Sequence, residues 1–94
     1  MRIGLLTLNL YLPGCRSLKE KRRRLKPLLH RLRKEFNLAV AEVDAQDAWQ
    51  TAVIACATVS NDGAHVQQML QRVVEWIEQY CPDVTVTGEE ITLC

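Results

Sequence analysis

From Arg2 to Leu12 the chain alternates, with Leu6, Leu8, Leu10 and Leu12 on one side and Ile3, Leu5, Thr7, Asn9 and Tyr11 on the other. A period of two predicts a strand, and apolar residues on both sides put it in the middle of a sheet. Pro13-Gly14 ends it in a turn. The period then changes: Leu18, Leu25, Leu28, Leu29, Leu32 and Phe36 recur at helical spacing and predict one buried stripe. Ser17 and Glu20 have the spacing of a capping box, in which each side chain takes an otherwise orphaned backbone N–H. Pro27 lacks that N–H, so the helix is expected to bend there or to split into two collinear pieces.

Leu38 to Asp44 reads as a second strand, 45–50 as a polar connection, and Thr51 to Ser60 as a third strand, apolar on both faces. The short connection predicts a hairpin. Asn61-Asp62 offers the cap of a second helix running to about Tyr80, with Val66, Met69, Leu70, Val73, Ile77 and Tyr80 facing the core and Cys81-Pro82 stopping it. Asp83 to Leu93 forms a last strand, in which Gly88 is expected to mark a bulge or bend. The order β-α-β-β-α-β, with right-handed crossovers, predicts an α+β ferredoxin-like sandwich: a four-stranded antiparallel sheet with two helices on one face. The other face is left uncovered, carrying Ile3, Leu5, Thr7 and Tyr11. An apolar open face tends to be covered by a partner or a second copy.

The 94 residues suffice for a single domain, 1–94, and 48% of them are hydrophobic, as in globular chains. No apolar run approaches the ~18 residues of a membrane span, and the start reads as a strand rather than a signal peptide. The expected location is therefore cytoplasmic. Cys15, Cys56, Cys81 and Cys94 form no Cys-x-x-Cys pair, and His30 and His65 lie at no metal-ligand spacing from them. Free thiols, no metal and no cofactor are the expectation.

Charge changes the picture. Arg16 to Lys34 holds ten Lys or Arg against Glu20 alone, a net +9. The rest of the chain has Arg2 and Arg72 against ten acids, so an overall +1 conceals a sharply divided molecule. A solvated helix needs only scattered charges of both signs, whereas like charges three and four residues apart repel and cost stability. The segment thus points to a polyanionic partner, with Arg16, Lys19, Arg22, Arg23, Lys26, Arg33 and Lys34 as phosphate contacts that position without reading bases. RNA-recognition domains share this topology, but they stack bases on aromatics of the central strands. Here the third strand has no aromatic and the first only Tyr11, so contact is expected through the helix.

A second group is polar: Asp44, Asp47, Trp49, Asp62 and His65. If the outer ends of the hairpin strands lie near one another, paired carboxylates there suit acid–base work or Mg²⁺. The plainer reading has Asp44 and Asp47 ordering a loop, Asp62 capping the second helix and His65 in its first turn. No nucleophile–base pair, glycine-rich phosphate loop or metal spacing supports catalysis, so an enzyme is not expected. Trp49, in a polar loop, reads first as a plug over the core edge and second as a partner contact.

Three segments carry a family resemblance: Pro13-Gly14-Cys15-Arg16-Ser17-Leu18-Lys19-Glu20-Lys21-Arg22, then Val40 through Gln50, then Val59-Ser60-Asn61-Asp62 with His65-Val66. In order and spacing the chain resembles the YlxP-like family of small bacterial proteins, catalogued as a domain of unknown function. The resemblance implies the same ferredoxin-like fold. Because its members tend to be encoded beside transcription, translation and ribosome-maturation genes, it also implies an RNA- or ribosome-related role. It supplies no catalytic residues. Pro27 departs from the unbroken helix expected of such proteins. Two readings follow: an accessory protein binding RNA or a ribosomal particle through the basic helix, or a module that self-associates through its open sheet face or an edge strand and docks an acidic protein.

Overall fold

The computed structural model describes residues 1–94. The elements are β1 (Arg2–Tyr11), α1 (Leu18–Glu35), β2 (Ala39–Asp44), β3 (Thr51–Ser60), α2 (Gly63–Tyr80) and β4 (Thr85–Leu93). They build one antiparallel sheet of order β2-β3-β1-β4, the ferredoxin-like arrangement expected. Both helices cover one face, α2 over β1 and β4 and α1 over the β2 side. No helix is long and apolar enough to cross a membrane.

The core lies where the alternation places it. Leu6, Leu8, Leu10 and Leu12 of β1 are buried against Leu25, Leu28 and Leu32 of α1 and Val66, Leu70, Val73 and Ile77 of α2. The approach of α2 to β1 is close enough to require glycine at position 4, because a Cβ there would collide with Val66 and Leu70. Tyr80, expected in this core, is instead exposed: it is the last residue of α2 and leans on Trp76, 5.7 Å between ring centroids.

Local chemistry sets the ends. Ser17 Oγ accepts the Glu20 N–H at 3.0 Å, while Glu20 Oε2 reaches back to the N–H of Arg16, one residue before the cap. Asp62 caps α2, its Oδ1 accepting the N–H groups of Ala64 and His65. Pro27 neither splits nor ends α1, which runs unbroken from Leu18 to Glu35. Pro27 and Arg23, whose carbonyl loses its partner, are both exposed residues on the outer side of α1 rather than in the core. β4 bulges at Thr87, next to Gly88, between the pairs Asn9–Gly88 and Leu10–Val86. A second bulge, at Val43, leaves Glu42 opposite Ile54 on the inner face of β2.

Candidate nucleic-acid interface

The ten cations of the basic segment divide into two groups. Lys21, Arg24, Arg31 and Arg33 hold the fold together. Lys21 is only 2% exposed, and its ammonium donates to the Ala45 carbonyl at 2.7 Å. It also lies 2.8 Å from Glu42 Oε2, off hydrogen-bonding alignment, so that oxygen is held by charge rather than by a directed bond. The register explains the need: Glu42 faces inward opposite Ile54, and a carboxylate there requires a cation. Arg24 donates to the carbonyls of Pro13 and Asp83, tying the loop after β1 to the one before β4. Arg31 lies over the indole of Trp76, 4.9 Å from its centroid. Arg33, grouped above with the phosphate contacts, donates Nη2 to the Val40 carbonyl at 2.7 Å, on the strand at the edge of the sheet.

The other six, Arg16, Lys19, Arg22, Arg23, Lys26 and Lys34, are exposed, and no side-chain bond engages them. The molecule's single ion pair is Lys21–Glu42, so none of the six is in an ion pair. Five of them lie on α1, and with exposed His30 they recur at 19, 22, 23, 26, 30 and 34, the three- and four-residue steps of one helical face. At about 1.5 Å per residue this stripe is ~22 Å long. Helical spacing puts Lys19, Arg23, Lys26, His30, Arg33 and Lys34 on one outward sector and Arg22 at the border of the apolar stripe; the structure leaves Arg22 exposed and engages Arg33 on β2. What the spacing missed is the buried work of Lys21, whose only signal is its position beside the leucine stripe.

The polar group does not assemble. Asp44 pairs with Val53 near one end of β3, whereas Asp62 and His65 follow Ser60 at the other end. Those ends are seven residues apart on a straight strand, ~23 Å at about 3.3 Å per residue. Only the inner ends of a hairpin meet, and here those carry Asp44, Asp47 and Trp49. Asp44 Oδ1 accepts the N–H of Ala45, which holds a left-handed φ of 59°. No three His, Cys, Asp or Glu side chains converge anywhere in a metal-holding arrangement.

Trp49 is no plug: it is 54% exposed and stands apart from the core cluster. The four cysteines are free, and Cys15, Cys56 and Cys81 are buried. Burial pushes the Cys56 thiol up to about 12. Burial also raises Cys81, against the opposing pull of Arg31. Both stay protonated at neutral pH and so are poor nucleophiles.

The same fold and segment order recur elsewhere. Residues 3–91 match the family model described as a protein of unknown function, DUF503. The chain belongs to that family. It is 38% identical over 76 residues to the uncharacterized protein YlxP of Bacillus subtilis (strain 168), covering 79% of this chain and 82% of that one. Among solved structures, the de novo designed protein Foldit4 superposes with a TM-score of 0.54 at 12% identity, covering 100% of this chain and 97% of that one, a likeness of fold alone.

Proposed function

We propose that the protein is an accessory factor that binds RNA, free or within a ribosomal particle, through the exposed face of α1, with no catalytic step. The observation that carries this is the set of six exposed, unpaired cations, five of them on one helical face. Such a set raises the energy of the free protein by mutual repulsion, and a row of phosphates relieves it while releasing counterions. Arg16, Lys19, Arg22, Arg23, Lys26 and Lys34 are the contacts in this reading. Arg33 contributes less, because part of its guanidinium is engaged on β2.

The test is binding of the purified protein to ribosomal RNA fragments across a salt series. With about four to six phosphate contacts, log K should fall with log[salt] with a slope of about −3 to −5. The double reversal Arg23→Glu/Lys26→Glu should weaken binding to all sequences alike and flatten the slope. Absence of binding at low salt would sink the reading and direct the search to an acidic protein surface.

The open sheet face supports a second, compatible reading, that two copies pair through it. Its rows run Val59–Ile3, then Ala39–Ala57–Leu5–Thr92, then Ala41–Ala55–Thr7–Glu90, with Glu90 the one charged side chain of these three; the next row, Asp44–Val53–Asn9–Gly88, is more polar. Arg33 on the Val40 carbonyl blunts the β2 edge, which favours the face over that edge. Sedimentation should show a dimer that Leu5→Glu dissociates; a strict monomer at high concentration would end this reading.

A further inference from the structure

The molecule has two tryptophans in opposite situations. Trp76 packs edge-on against Phe36 at 6.1 Å, beside Tyr80 and under Arg31. Trp49 has none of these neighbours and shows more than half its surface to water. Its loop is nonetheless firmly held by three hydrogen bonds, two of which lead to the start of the basic segment while the third continues the β1–β3 ladder. Lys21 Nζ donates to the Ala45 carbonyl, Gln50 Nε2 to the Cys15 carbonyl at 3.3 Å, and the Leu12 N–H to the Gln50 carbonyl at 2.8 Å. The residue after Cys15 is Arg16, Arg22 follows Lys21, and Lys19 stands on the outward side of the same first turn of α1. The loop that carries the exposed indole is thus held against the N-terminal end of α1, with Gln50, the residue after Trp49, on the carbonyl that precedes Arg16.

We infer that Trp49 is a base-stacking residue for a single-stranded nucleic acid whose phosphates lie on Arg16, Lys19 and Arg22. The inference rests on the proposed function and narrows its ligand from any polyanion to a strand with an unpaired base. An indole face stacks on any base, and cations within reach of the adjoining phosphates supply the remaining attraction. A duplex offers no free base face except at its ends, so the pairing of indole and cations selects unpaired strands. Asp44 is turned back on its own loop, while Asp47, two residues before the indole, stays exposed. The platform differs from that of the RNA-recognition domains, because it sits on the hairpin loop at one end of the sheet rather than on the sheet face.

The experiment uses the full chain with Trp76→Phe, so that Trp49 is the sole indole. The probes are an oligouridylate of about ten nucleotides, the same backbone without bases, and a long blunt RNA duplex, whose two ends are a small fraction of its binding sites. The oligouridylate should quench Trp49 fluorescence, and neither other probe should. In the parent chain Trp49→Ala should weaken oligouridylate binding about 10- to 100-fold, the worth of one stacked base. Its salt slope and melting temperature should not change, and Trp49→Phe should recover most of the affinity. Abasic binding should be indifferent to Trp49. If Trp49→Ala binds oligouridylate as tightly as the parent while Arg23→Glu/Lys26→Glu still weakens it, the stacking role is wrong and the phosphate reading survives. If the parent binds no oligonucleotide at low salt, both fall. If Trp49→Ala instead dissociates a protein dimer, Trp49 is a subunit contact and the stacking assignment is overturned.

Discussion

The two helices do the same structural job with opposite surfaces. Each has 18 residues, a side-chain N-cap and an apolar stripe laid on one sheet face. Outward, α1 shows Lys19, Arg22, Arg23, Lys26, His30 and Lys34, while α2 shows Gln67, Gln68, Gln71, Arg72, Glu75, Glu78 and Gln79. Packing constrains the inner stripe and leaves the outer face free, so a biased outer face records something other than folding. The lesson also holds within α1. Nine of its residues are Lys or Arg, yet Lys21, Arg24, Arg31 and Arg33 are consumed by the fold. Raw charge overstates the surface available to a partner.

Substitutions can break this comparison. The largest effect is expected at Lys21, the one cation of α1 that is buried and paired. Lys21→Met leaves Glu42 and the Ala45 carbonyl without their cation and should cost about 3 kcal/mol, toward the low end for a broken buried pair because Glu42 remains 23% exposed. Urea unfolding measures this, and Glu42→Leu added to it should restore much of the loss. A change below about 1 kcal/mol would return Lys21 to the free cations. Next come the caps. Ser17→Ala and Asp62→Ala should each lower stability by about 1 kcal/mol, since each leaves a helix N-terminus with an unmet N–H. A loss below about 0.5 kcal/mol at either site would mean that water replaces that cap at little cost.

The last comparison reads binding rather than stability, through a matched pair of charge changes. Arg23→Gln/Lys26→Gln on α1 and Gln68→Glu/Gln71→Glu on α2 alter net charge equally. The first should weaken RNA binding about tenfold, and the second less than about twofold at ionic strengths near 0.15 M, where exposed charges act over only ~8 Å. Equal losses would mean that total charge, not the α1 face, attracts the nucleic acid.

The elements were legible because each depends on neighbours within a few residues. Alternation in β1, the leucine steps of α1, the Asp62 cap and the bulge beside Gly88 all rest on local periodicity and turn chemistry. The exposed cationic sector was legible for the same reason, since a helix puts residues three and four apart on one face. Pro27 misled in one respect, because its cost depends on whether the freed carbonyl lies in the core, and only the packing of α1 puts Arg23 and Pro27 on its exposed side.

What the tertiary structure alone decided is which side chains are spoken for. Lys21 finds Ala45 across 24 residues and Arg24 finds Asp83 across 59, separations that no local pattern encodes. The straight run of β3 sends Asp62 and His65 away from Asp44 and Asp47, dissolving a polar group that looked continuous in sequence. The same hairpin holds the loop of exposed Trp49 against the head of the basic helix. Periodicity determines which face a residue occupies. Only the assembled sheet determines what stands opposite it, because strand pairing joins residues by position in space rather than by distance along the chain.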